Sequence, residues 1–348
     1  MGLNAVLQLL QRSQVIRQAD DIVGIGARNW QKPSLVGLRY APNTRVDKFV
    51  SKLDSITRFS TKEEIVQYFK NLGVDVRIEE FTPKHLETFN LIRDDVELLR
   101  RMGLKEAVPK GICLSDWRNT EKTKALITEY GLDMHFPAER RAYCGANSNT
   151  VFINSSDEAL EASNGVFRKF KHEIGHRRHY THYNSKGVLG SNGTYSVLGK
   201  GLNDNVSFAN RQLEVLGINA KVFKIPNYSM QYQVTAPVNG KFIPLEGNRV
   251  LNVDVSKMTA YMNGKCHCYN KEYLSEQVAE IFEDLLKGRR YDDLTMLMYD
   301  FAGGGRIPNL IINGQKYDDY IKSLYENKEL VNKLKEFIEI SCRWMSKI

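Results

Sequence analysis

Apolar residues recur at helical spacing along some stretches of the chain and alternate along others, and these two periods divide it into elements. Leu86, Phe89, Ile92, Val96 and Leu99 stand three or four apart, which predicts a helix from Thr82-Pro83 to Gly103. Upstream, Thr61-Lys62-Glu63-Glu64 has the form of a helix-start box, so a helix is expected there and a stop near Gly73. Val74 to Phe81 alternates like a strand, Gly111 to Leu114 reads as a short strand, and Glu121 to Tyr130 as a third helix. Arg141 to Cys144 and Thr150 to Asn154 read as two short strands joined by the polar turn Gly145-Ala146-Asn147-Ser148-Asn149. Residues 164 to 180 form a strong helical segment after Asn164.

Beyond it, residues 185 to 265 are rich in Gly, Asn, Tyr and Val, with strand-like pieces at 220–225, 228–236 and 249–255. Helical spacing returns at Ser275 to Lys287 and from Tyr317 to the C-terminus, where Tyr320, Leu324, Leu330, Leu334 and Phe337 suit core packing or an oligomer contact. At the other end, residues 4 to 18 suit an amphipathic helix. Residues 20 to 59 scatter Gly24, Gly26, Pro33, Gly37 and Pro42 among isolated aromatics, as an extended arm would.

Composition narrows the classes. With 348 residues, 42% of them hydrophobic, the chain can bury a sizeable core and is neither fibrous nor disordered. A net charge of +8 is too diffuse to name an acidic partner, and nucleic acid is not expected. Five cysteines are an odd number in a large chain, which predicts no disulfide framework and a reducing compartment. No apolar run approaches the roughly 18 residues of a membrane span, and the start lacks the early basic residues of a secretory signal. A cytoplasmic or virion-associated protein is the expectation. Gly2 invites acylation, but Val6 stands where Ser or Thr is wanted.

The chemistry concentrates in His172-Glu173-Ile174-Gly175-His176. Two His four residues apart share one face of a helix, where both imidazoles can bind one zinc ion, and the Glu between them points at the open coordination position. Phe167, Phe170 and Ile174 supply the buried side. The preceding strand, Thr150 to Asn154, is expected at a sheet edge, so that Thr150, Val151, Phe152 and Ile153 could hold an extended peptide by strand addition. A catalytic zinc needs a third protein ligand and an open site. Glu276 is one candidate, with Glu280 one turn on as an outer partner that fixes a ligating His, and Tyr269 as a phenol near the developing oxyanion, with Tyr273 as the weaker choice. His182 is the other, at the metzincin spacing of ten residues from His172. That pattern wants Gly where His179 stands, and Val255 to Tyr261 is only a faint match to its Met-turn.

Three further words carry less. Cys266-His267-Cys268 lacks the second Cys pair of a structural zinc site, and Gly303-Gly304-Gly305 lacks the Lys of a phosphate loop and suits a flexible turn or hinge. Arg168, Lys169, Lys171, Arg177 and Arg178 suggest a solvated basic face flanking the metal helix, one that could favour acidic substrates.

The helix His172 to His176, the later Glu276-x-x-x-Glu280 and Tyr269 before it resemble the gluzincin-type zincin catalytic domain of anthrax lethal factor and related toxin- or phage-borne proteins. The resemblance implies an α+β zincin-like metallopeptidase fold, a mixed sheet with an active-site helix, between an N-terminal extended arm and a C-terminal helix. It implies one zinc ion per chain on His172, His176 and Glu276, Glu173 as general base, Glu280 outside the ligands, Tyr269 at the oxyanion and a polypeptide substrate. As 100 residues separate His176 from Glu276, it also implies an insertion. The expected organisation is residues 1–59 as helix and arm, 60–315 as the metallopeptidase domain with a strand-rich insertion at about 185–265, and 316–348 as the C-terminal helix. The alternative expectation is a structural or virion-associated component built on a zincin fold, assembling as a homo-oligomer or larger particle through residues 1–59 and the C-terminal helix.

Overall fold

The computed structural model describes residues 58–79, 81–131, 142–144, 149–156, 169–183, 194–196, 213–217, 221–224, 232–238, 241–244, 249–266 and 274–344. The expected helix at 4–18 and nearly all of the arm at 20–59 lie outside them. Helix α1 (Lys62–Asn71) starts where the Thr61 side chain accepts the N–H of Glu64, and the chain turns out of it at Gly73, φ +72°. Strand β1 (Asp75–Ile78) leads to α2 (Pro83–Arg101), whose entry is fixed by the N–H of Thr82 donating to His85 Nδ1. Strand β2 (Gly111–Ser115), helix α3 (Thr120–Glu129) and strands β3 (Ala142–Cys144) and β4 (Thr150–Asn154) follow.

These strands form one mixed sheet in the order β1-β2-β4-β3. The first three are parallel, and β3 runs antiparallel along β4 with Cys144 opposite Val151. Every residue of β2 and β4 is buried, as expected for parallel strands covered on both faces. Ile112, Leu114, Val151 and Ile153 point to the main core, which includes Phe170 and Ile174 of the next helix. Cys113 and Phe152 point the other way, to Trp117 and to Leu126 of α3. This topology corrects one expectation: Thr150 to Asn154 lies between β2 and β3, with Val151, Phe152 and Ile153 paired on both sides and Thr150 paired to Gly111, so it is an interior strand and not the edge expected to hold a peptide. The edge is β3.

Helix α4 (Phe170–Tyr183) carries the two His and continues without a break past His182. The region expected as an insertion contains strands β5 (Thr194–Ser196), β6 (Lys221–Lys224), β7 (Tyr232–Val238), β8 (Lys241–Pro244) and β9 (Arg249–Asp254). Strands β6, β7 and β8 form an antiparallel meander, and β9 pairs with β5. Helix α5 (Ser256–Asn263) occupies the stretch compared with a Met-turn, followed by α6 (Leu274–Leu286) and α7 (Asp293–Phe301). A two-stranded ribbon, β10 (Ile311–Ile312) with β11 (Gln315–Lys316), precedes α8 (Tyr317–Glu326) and α9 (Lys328–Glu336).

The last element is a strand, β12 (Glu339–Trp344), antiparallel to β9 with Glu339 opposite Asp254 and Trp344 opposite Arg249. The expected C-terminal helix over 316–348 is therefore corrected twice. Asn327 breaks it, leaving helical geometry and accepting the N–H of Leu330 as the cap of a second helix. After Phe337 the alternating Ile-Ser-Cys-Arg-Trp run takes a partner strand instead. The result is a mixed α+β fold in which α6 is the central helix, buried over nearly its whole length. Among the described residues, no helix is long and apolar enough to cross a membrane.

Candidate metal centre

The site lies where α4 crosses α6. On α4, positions 169, 172, 176 and 179 are spaced three or four apart and share one face. On α6, positions 276, 280 and 283 do the same. Gly175 lets the two backbones meet: a Cβ there would stand 2.8 Å from Ala279 Cα and 3.0 Å from its carbonyl oxygen. With that close approach, the side chains flanking the crossing face one another at ligand distance.

His172 Nε2 lies 3.1 Å from His176 Nε2 and 3.2 Å from Glu276 Oε2, and His176 Nε2 lies 3.4 Å from Glu276 Oε1. Both imidazoles are buried. Among the described residues, His172, His176 and Glu276 form a group that could hold a metal ion, and His172, Glu280 and Glu283 form a second. On the far side of the His172 ring, Nδ1 stands 3.3 Å from Glu280 Oε2. In the neutral ring that carboxylate, at ion-pair distance, favours the tautomer with its proton on Nδ1 and its lone pair on Nε2.

The electrostatics are those of a site that draws positive charge. Burial alone would lower the pKa of His172, but hydrogen bonds to Glu276 and Glu280 outweigh it and raise the pKa to about 10. Burial would raise Glu276, yet bonds to His172 and His176 hold its carboxyl far below the usual range. Glu280, against its own burial, is held down to about 2 by His172 and Lys169. The donor set of two imidazoles and a carboxylate suits a divalent transition metal.

Glu173, one residue on from His172, is buried. Burial pushes the thiol of Cys144 in β3 up to about 12, and the Glu173 carboxylate adds to that shift. The His179 imidazole bonds the carbonyl of Ala302 through Nε2 at 2.9 Å, outside the metal group. His182 stays on α4, ten residues and so about 15 Å of helical rise beyond His172, which rules it out as a third ligand with His172 and His176. Tyr269, His267, Cys268 and Arg168 lie outside the described residues, while Cys266 is buried with its thiol on the Met262 carbonyl.

Two further expectations change. The basic residues are not a solvated face: Lys169 meets Glu280 and Glu283, Lys171 meets the buried Asp95, Arg178 meets Glu106 and Arg177 bonds Asn149. Each holds α4 against its surroundings. Gly303-Gly304-Gly305 is a buried turn, with Gly303 at φ +83° and Gly304 against the ring of Tyr299, and it is too enclosed to hinge. Sequence reasoning also missed Glu283 and Lys169. The signal for Glu283 was present, since 276, 280 and 283 continue one helical stripe. Compared with family models, curated proteins and solved structures, the chain matches none.

Proposed function

We propose that the chain is a zinc-dependent endopeptidase of the gluzincin type, with His172, His176 and Glu276 as the zinc ligands. One observation carries the reading. The Nε2 atoms of His172 and His176 are 3.1 Å apart, and Glu276 sets one carboxylate oxygen 3.2 Å from the first and the other 3.4 Å from the second. A tetrahedron with bonds of about 2.0–2.1 Å has an edge of about 3.3 Å, so the residues fit a zinc ion that keeps its fourth position open. Zinc in such a site supplies a Lewis acid that polarises a carbonyl and acidifies water.

The chain's own residues would do the rest. Glu280, 3.3 Å from His172 Nδ1, would favour the proton on that nitrogen and leave Nε2 its lone pair. Glu173, one residue on from His172 and buried, would take the proton of the attacking water and return it to the leaving amine. The side of β3 away from β4, unpaired among the described residues and partly exposed at Ala142 and Tyr143, would offer backbone groups to an extended peptide. Tyr269 would support the oxyanion, as the resemblance implies.

The test is zinc content and peptide hydrolysis of the purified chain and of Glu173→Gln. One zinc per chain is expected in both. Hydrolysis in the variant should fall by about 10²–10⁴-fold, the contribution of a general base. Unchanged hydrolysis in Glu173→Gln, or a wild-type chain that binds no zinc, overturns the reading.

A further inference from the structure

Lys169 stands at the start of α4, its carbonyl accepting the N–H of Glu173 at 3.1 Å. That bond ties it to the first turn and aligns its side chain with that of His172, three residues on. Lys169 Nζ lies 3.1 Å from Glu280 Oε2 and 3.2 Å from Glu283 Oε2. The same two oxygens lie 3.3 and 3.8 Å from His172 Nδ1. Lys287 holds the other oxygen of Glu283 at 2.6 Å, and with 1% of its side chain exposed that carboxylate has no room to swing away.

We propose that Lys169 is a positioning residue for the metal centre. Its ammonium clasps Glu280 and Glu283 so that both carboxylates stay beside His172 Nδ1, and it takes the place of a cation in that second cluster, leaving the chain with one metal ion rather than two. The inference rests on the zinc reading above. Two carboxylates crowded at one buried imidazole edge repel each other, and a shared ammonium removes the repulsion while leaving each an acceptor. The His172 ring is then fixed by what lies behind it, with Nε2 aimed at the metal position. Without the ammonium, Glu280 and Glu283 separate or admit a foreign cation, and the ring loses its orientation.

The experiment uses the full-length chain, with zinc affinity read by competition against a chromophoric chelator and ligand geometry by the visible spectrum of the cobalt(II)-substituted protein. Lys169→Met should weaken zinc binding about tenfold or more and shift the cobalt spectrum, and Lys169→Arg should recover most of both. Glu283→Gln should weaken binding in the same direction and serves as the second variant if Lys169→Met does not fold. Lys124→Met, at an exposed ion pair with Glu121, should change neither readout. Wild-type affinity and spectrum in Lys169→Met and Glu283→Gln together overturn the positioning role, as a second zinc bound by the wild type overturns the single-metal claim. A wild type that binds no zinc fails differently, because it removes the site itself.

Discussion

Glu276 and Glu283 sit two turns apart on the same helix, face the same neighbour and differ in their company. Glu283 is bonded by Lys169 and Lys287 and is almost wholly buried. Glu276 keeps 32% of its side chain exposed, and its ion-pair partners among the described residues are the Nε2 atoms of His172 and His176. One carboxylate has its cations built into the chain. The other faces two imidazole nitrogens that become ligands once a metal ion displaces their protons, an arrangement that lysines would block. His172 stands between the two, one nitrogen in each environment, and is the point at which one cluster can act on the other.

The most direct way to break this contrast is to neutralise each carboxylate in turn. Glu276→Gln removes a ligand, so zinc affinity should fall by more than the roughly 10–100-fold that outer partners contribute. Glu280→Gln removes no ligand and changes only what stands behind the His172 ring, including the Lys169 pair, so its loss should stay within that range. Chelator competition measures both. Equal losses would mean that the two sides of the ring are not distinct.

How much of this could be read from the chain depends on how local each feature is. His172 and His176 were legible because one helical turn brings them together whatever the rest of the chain does. Glu276 and Glu280 were legible as a spacing, although the 100 residues before them gave no sign that α6 would cross α4. Glu283 was missed despite lying on the same stripe, because two carboxylates already filled the roles considered. Lys169 read as part of a basic surface, since sequence gives a charge but not the buried carboxylate opposite. Edge and interior were beyond reach for Thr150–Asn154: its neighbour β2 comes from residues 111–115, and only the parallel crossover puts it there. The C-terminal strand failed for the same reason, as its partner β9 is some ninety residues back.

Gly175→Ala tests whether the crossing itself sets both environments. A methyl group at 2.8 Å from Ala279 Cα must push α4 from α6. The expected cost is about 1–3 kcal/mol of stability, seen in denaturant unfolding, with weakened zinc binding alongside it. Destabilisation with unchanged zinc affinity would show that the ligands tolerate a wider crossing than the backbones do.

A smaller effect should appear in the protons. Without metal, His172 holds its proton up to a pKa of about 10, because Glu276 and Glu280 outweigh its burial. Zinc needs the neutral ring, so binding at pH 7–9 displaces a proton, and affinity should rise about tenfold per pH unit across that window. Calorimetry in buffers of different ionisation enthalpy counts the proton. No release would mean that His172 is neutral before the metal arrives and that the two carboxylates do not act on the ring as their distances suggest.

The smallest expected change lies far from both carboxylates and sets the scale for the rest. Asn327 accepts the N–H of Leu330 and caps α9 on the opposite side of a helix break. Asn327→Ala should cost about 1 kcal/mol, the usual worth of such a cap, and leave zinc affinity and its pH slope unchanged. It separates two meanings of a weakened site. If a general loss of about 1 kcal/mol here also loosened zinc, then the losses at Lys169, Glu280 and Gly175 would report only on a less stable fold. If zinc is indifferent to Asn327, those losses belong to the geometry around His172, and the contrast between Glu276 and Glu283 is a property of the site.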